Sequence, residues 1–200
     1  MRTLVIETAS EACSIALFDA SGLVAYDHQC IGRGHAEALL PMIARLPGGG
    51  RADRILVGCG PGSFTGVRVG IAAARALGIG WQVPVVGFGS PALVAAGAAD
   101  GAPLLVVMEG GHGQWLVQPF AADGAPLADP AARDPDAAIA DLTHRVAGNR
   151  AAAFVDRRGH GLAVAGVPDA RHAMAIAAGC TGWLPQPHYG RDPDAVIKRG

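Results

Sequence analysis

The alternation of apolar and polar positions divides the first hundred residues into short, well-marked elements. Thr3–Ile6 is a β-prone run, Ser14–Phe18 alternates polar and apolar, and Gly22 marks a turn before a third strand over Leu23–His28. The links Thr8–Ala12 and Asp19–Gly22 are too short for crossovers, so the three strands are expected to be antiparallel neighbours. Ala36, Leu39, Leu40, Ile43 and Leu46 recur at helical spacing until Pro47 and three glycines stop the run. Pro41, inside it, is expected to kink or restart the helix. There follow a strand over Arg54–Cys59, a glycine-rich turn over Gly60–Gly66 and a helix from Thr65 to about Gly78. A strand over Val83–Val86 and a short helix over Pro91–Ala99 complete the half.

Beyond Asp100–Gly101 the pattern weakens. Leu104–Met108 and Gln114–Phe120 read as a strand pair around Gly110–Gly113, and Pro135–Leu142 and Ala170–Ala178 as helices, with loop-rich stretches between. A meander followed by alternating helices and parallel strands is the order of a ribonuclease-H-like or actin-like ATPase α/β fold, a mixed sheet with flanking helices in two subdomains. Residues 1–100 are expected to form the N-terminal actin-like subdomain, and residues 101–200 a smaller, truncated C-terminal α/β subdomain.

Composition narrows the function classes. Half of the residues are hydrophobic and 16% charged, which excludes a disordered tail protein. A formal net charge of −1 argues against a mainly electrostatic grip on nucleic acid. The cysteines, Cys13, Cys30, Cys59 and Cys180, form no C-x-x-C pair, which argues against a zinc ribbon or a thioredoxin-type site. Cys13 and Cys59 sit in apolar runs and read as small buried hydrophobes, and reduced thiols fit the cytosol. Met1–Ile6 is too short for the apolar part of a secretory leader. The uncharged stretch Ala76–Ala99 carries Gln82, two prolines and several glycines, so strand and loop are expected there rather than a membrane span.

The segment richest in candidate chemistry is Gly60-Pro61-Gly62-Ser63-Phe64-Thr65-Gly66-Val67-Arg68-Val69-Gly70, a glycine turn between a strand and a helix. Such a junction favours an anion, yet the spacing fits neither the dinucleotide fingerprint nor the Walker A loop, and Ser63 is not in a nucleophile elbow. Two readings stand: a turn whose glycines admit close packing, or a phosphate cradle. Glu7, at the end of the first strand, either faces a metal–phosphate group or accepts hydrogen bonds from the backbone of Thr8–Ser10. His35 has Leu39 four residues on, so it lacks the second imidazole of a helical metal pair and reads as a helix-start or interface histidine. His112 reads as an exposed turn residue. Asp156-Arg157-Arg158 and Lys198-Arg199 are basic clusters that read as solvated surface or as contacts to phosphate.

Together, Ile6–Ser10, Ala12–Leu17, His35 with Leu39-Leu40-Pro41, and Gly60–Gly70 resemble the TsaB (YeaZ) family in order and spacing. Pro187–Arg191 is similar to the family's terminal Pro-x-Tyr-Leu-Arg, with Gly190 in the leucine's place. Glu7 stands where these chains commonly carry Asp. The resemblance implies an actin-like ATPase fold and a cytoplasmic, non-catalytic subunit in bacterial synthesis of threonylcarbamoyladenosine at position 37 of tRNA. It implies binding and activation of the catalytic subunit TsaD, an ATPase partner TsaE, indirect contact with tRNA, and self-pairing as a homodimer when TsaD is absent. No cofactor is expected in the isolated chain, with ATP or ADP at the interface of the complex. The partner surface is expected to comprise His35, Leu39, Gly60, Gly62, Ser63, Phe64, Thr65, Gly66, Val67, Arg68 and Gly70, with Glu7, Thr8 and Ser10 a vestigial phosphate site. The alternatives within the fold are an ATP-dependent phosphotransferase and a metallo-glycopeptidase.

Overall fold

A computed structural model describes residues 1–141 and 143–190 of the chain. The first three strands, β1 (Thr3–Glu7), β2 (Ala12–Asp19) and β3 (Gly22–Cys30), form the expected antiparallel meander, with Val5 opposite Ala16 and Ser14 opposite His28. Helix α1 (His35–Arg45) follows. It runs as one element through Pro41, so the expected interruption does not occur. Proline removes one hydrogen bond on the exposed side, while Leu39, Met42 and Ile43 stay buried on the other.

Strand β4 (Arg54–Gly58) pairs parallel with β1, helix α2 (Phe64–Trp81) crosses back, and β5 (Val85–Phe88) pairs parallel with β4. Helix α3 (Ser90–Gly97) leads out of the sheet. The uncharged stretch 76–99 is thus helix, strand and helix. Among the described residues no helix is long and apolar enough to cross a membrane.

The second half repeats the theme with shorter pieces. Strands β6 (Leu104–Gly111) and β7 (Gln114–Phe120) form the expected hairpin, and β8 (Ala131–Arg133) extends it. Helix α4 is only Pro135–Ala138, and Leu142, the end expected for it, lies outside the described residues. Strand β9 (Arg145–Ala147), helix α5 (Ala151–Arg158) and strand β10 (Leu162–Val164) follow, both strands parallel to β6. The helix expected over 170–178 is two separate 3-10 segments, Ala170–Ala175 and Ala178–Cys180. Strand β11 (Thr181–Trp183) then returns to pair with β5.

Two sheets result, in the orders β11-β5-β4-β1-β2-β3 and β10-β9-β6-β7-β8. Leu4, Ile6, Ile15 and Val57 pack under α1 and α2, while Val5, Ala16 and Phe88 face Leu93 and the segment around Ala170. Burial on both faces explains the almost unbroken apolar character of β1 and β2. Helix α3 lies between the sheets, sharing Ala92, Val94 and Ala95 with Leu104, Val106 and Met108. Phe154 and Ala138 close the far face of the second sheet.

Candidate functional site

The glycines of Gly60–Gly70 work on their own chain. A Cβ built on Gly62 would collide with the Ala9 carbonyl, one on Gly66 with the Thr8 carbonyl, and one on Gly70 with the Thr8 hydroxyl. The N–H of Ser63 donates to Ala9 O at 2.6 Å, the Thr8 hydroxyl donates to Gly66 O at 2.7 Å, and Ser63 Oγ caps the helix by accepting from Gly66 N at 3.2 Å. Helix α2 therefore starts flush against the turn that joins β1 to β2. Of the two readings of this string, close packing is the one the contacts carry.

The same contacts account for the expected phosphate residues. Thr8 is used on Gly66, and Ser10 Oγ accepts from Ala12 N at 3.1 Å. Glu7 is fully buried; its Oε1 accepts the Ala9 N–H at 2.5 Å, and Oε2 has no hydrogen-bond partner among the described residues. Burial pushes its carboxyl from the ordinary 4.5 up to about 7, against the pull of the Ala9 N–H. Gly58, on the adjacent strand, leaves the room this carboxyl occupies: the Glu7 Cδ lies 2.7 Å from where a Gly58 Cβ would stand. Burial likewise pushes the Cys13 and Cys59 thiols up to about 11, in keeping with their reading as small hydrophobes.

The expected partner surface divides in two. His35, Leu39, Gly60, Gly66, Val67 and Gly70 are buried, packed against their own chain. The His35 Nε2–H donates to the Ala12 carbonyl at 3.3 Å and ties the start of α1 to β2. Ser63, Phe64, Thr65 and Arg68 are exposed, and Gly62 is half-buried. The Arg68 guanidinium lies 3.4 Å above the Phe64 ring, and Phe64 stacks on Tyr189 with centroids 5.5 Å apart.

Tyr189 comes from a segment that straps the two halves together. His188 N donates to Cys59 O at 2.8 Å, and Gly190 O accepts from Ala132 N at 3.0 Å. Beside it lies a cleft of about 780 Å³, lined by Phe64, Tyr189, Glu11, Glu109 and Asn149 among others. Asn149 Nδ2 donates to Glu11 Oε2 at 2.8 Å, its Oδ1 accepts from Glu109 N at 3.0 Å, and Arg150 pairs with Glu109. Asn149 is 138 residues from Glu11, so nothing in the local pattern announces this bridge. Tyr189 falls within a stretch that the sequence does single out. Truncating it to alanine should remove the stack and lower stability by about 1 kcal/mol, or a few degrees in thermal unfolding. The same melting temperature as the parent would show that the strap holds without it.

His112 is an exposed turn residue with φ 52°. Arg157 pairs with Asp136 at 2.6 Å, and Arg158 donates to the carbonyls of Asp141, Thr143 and His160, so both guanidinium groups are engaged by the chain itself. Lys198-Arg199 and Arg191 lie outside the described residues. Among the described residues no three His, Cys, Asp or Glu side chains converge to hold a metal ion.

Residues 29–149 match the family model described as TsaD: tRNA N6-adenosine threonylcarbamoyltransferase. Over 103 residues, 49% of this chain and 44% of the relative, the sequence is 40% identical to the tRNA threonylcarbamoyladenosine biosynthesis protein TsaB of Escherichia coli (strain K12). It is 39% identical over 88 residues to the protein of that name from Haemophilus influenzae (strain ATCC 51907 / DSM 11121 / KW20 / Rd), covering 42% of this chain and 37% of the relative. The matched span is less than half the length of either curated relative. The solved structure of YeaZ from Pseudomonas aeruginosa superposes on 94% of this chain and 99% of its own with a TM-score of 0.78 at 24% identity, a likeness of fold.

Proposed function

The chain belongs to the family described as TsaD: tRNA N6-adenosine threonylcarbamoyltransferase, and from that membership we propose that it serves threonylcarbamoyladenosine synthesis as a TsaB-type, non-catalytic subunit. It docks on a TsaD-type catalytic subunit and stabilises its active form. A TsaE-type ATPase completes the assembly in the cytoplasm, nucleotide binds at the interface of the complex, and tRNA is engaged through the partner.

The observation that carries this reading is the free face of α2. Its inner face is spent on β1 and β4, yet Phe64, Arg68, Ala72, Ala76 and Ile79 stay exposed along the outer one, Phe64 at 58% and Ile79 at 80%. Large apolar side chains at both ends of a helix with alanines between them leave a surface that a second helix can approach closely. Leu40, 51% exposed on neighbouring α1, widens it. The internal use of Thr8, Ser10 and the N–H of Ser63 supports the non-catalytic half of the reading, because these groups are already satisfied without phosphate.

Ala76→Arg tests it. An exposed helix position tolerates arginine within about 0.5 kcal/mol. The variant should fold as the parent does but bind the TsaD-type subunit at least tenfold more weakly, about 1.4 kcal/mol. Tight binding by a folded Ala76→Arg variant would move the docking surface elsewhere. ATP turnover by the isolated chain at ~1 per second would replace the non-catalytic reading with the phosphotransferase one.

A further inference from the structure

On the far side of the first sheet from α1, three elements bring a thiol, an imidazole and a carboxylate into line. Cys30 and His28 lie two apart on β3, on the same face, and Cys30 Sγ is 3.9 Å from His28 Nε2. The other ring nitrogen, Nδ1, is 3.0 Å from Ser14 Oγ on β2 and 3.6 Å from Asp169 Oδ2. Asp169 is 6% exposed and is held by Arg171, whose Nη2 donates to Oδ2 at 2.6 Å and whose Nε donates at 3.0 Å. Burial works against ionisation of Asp169, but the hydrogen bonds from Arg171 outweigh it and hold the carboxyl below its ordinary value.

Ser14 Oγ takes the Ala170 N–H at 2.9 Å and keeps a lone pair for His28. In the tautomer that carries its proton on Nδ1, facing the Asp169 carboxylate, Nε2 presents a bare lone pair to the thiol. The charged groups packed on this face are Asp169 and Arg171, with Arg171 also lying over Tyr26. Asp27 points to the opposite face, where it pairs with Arg45 of α1.

We propose that Cys30, His28 and Asp169 form a nucleophilic thiol centre that takes low-molecular-weight disulfides. The Cys30 proton passes to His28 Nε2, and Asp169 stabilises the imidazolium. The thiolate attacks one sulfur of the disulfide, a Cys30 S–S bond forms, and the old S–S bond breaks with its electron pair on the departing thiolate, which His28 reprotonates. Cys30 is oxidised to the mixed disulfide, and half of the reagent is reduced to thiol. Cys30 is the exposed member of the four cysteines, whereas Cys13, Cys59 and Cys180 are buried, so the folded chain offers one reactive thiol.

The test uses the folded 200-residue chain with iodoacetamide as a probe of thiolate across pH, and hydroxyethyl disulfide as the disulfide, both followed by intact mass. One adduct is expected, lost in Cys30→Ser. At pH 6 the parent should react at least tenfold faster than His28→Gln, the two converging well above the ordinary thiol titration near 8.5. Asp169→Asn should fall between them. A parent profile following a single titration near 8.5, which needs no variant to measure, would overturn the proposal. So would equal rates at pH 6 in parent and folded His28→Gln, or alkylation by iodoacetamide with no mixed disulfide.

Discussion

Replacing Gly66 with alanine should destabilise the chain by on the order of 3 kcal/mol or more, enough to leave a marginally stable domain largely unfolded. Alanine is the better helix former by about 1 kcal/mol, so propensity alone predicts the opposite sign. Contact decides it: the new methyl would enter the shell of the Thr8 carbonyl oxygen, and both partners are backbone, which cannot swing away as a side chain would. Thr8 is pinned by its own bond to Gly66 O, and the neighbouring Ser63 N–H binds Ala9 O, so sliding α2 outward breaks both. Gly80 supplies the control on the same helix. Nothing lies within 4 Å of its Cβ position, and Gly80→Ala should raise stability by up to about 1 kcal/mol. Urea unfolding of the pair reads both signs. If Gly66→Ala unfolds at the parent's midpoint, α2 does not need to lie flush against the β1–β2 turn.

That outcome reverses what the glycine string suggests when read alone. Its spacing marks a strand-to-helix turn and marks it correctly, but the surface the glycines fit is 58 residues earlier in the chain, at Thr8. A pattern within one segment cannot say whether small residues admit a partner or a neighbouring strand. The split between buried Gly66, Val67 and Gly70 and exposed Phe64, Thr65 and Arg68 is a matter of helix phase relative to β1. Half of the Arg68 arrangement was legible, because Phe64 precedes it by one helical turn; Tyr189, which completes the stack, arrives from the far end. The meander and the helices after it were legible because links of a few residues leave no other topology. Strands β8, β9, β10 and β11 have three residues each, too few to show an alternation. The partners of β11 lie in the first sheet, so only the completed fold makes it a strand at all. The Asn149 bridge and the Ser14–His28–Asp169 alignment share this origin: each joins residues from distant segments whose neighbours carry no common spacing.

The stability of the chain should fall as pH rises from about 4.5 to about 7, and Glu7 should be the cause. Its carboxyl titrates near 4.5 when the chain is unfolded and near 7 when folded, because burial disfavours the anion. Between those values the folded state holds a proton that the unfolded state has lost, so unfolding releases a proton and becomes easier at each step upward. The contribution is fully present below the lower value and is gone above the upper one. A shift of this size corresponds to roughly 3 kcal/mol across the window, which for a domain of this length is on the order of 10 °C in melting temperature. Glu7→Gln keeps the shape and the acceptor for the Ala9 N–H but cannot ionise. It should match the parent near pH 5 and exceed it by most of that margin at pH 8, with a flat profile between. The difference between the two curves isolates Glu7 from the other carboxyls, since Asp19, Asp136 and Asp169 are all shifted downward and titrate below this window. Glu7→Asp separates charge from fit: the shorter side chain draws back from the space that Gly58 leaves open, so it should lose stability even at acid pH. Parallel melting curves for parent and Glu7→Gln from pH 5 to pH 8 would mean that the carboxyl ionises without cost in the fold, through a counter-charge or water reaching Oε2.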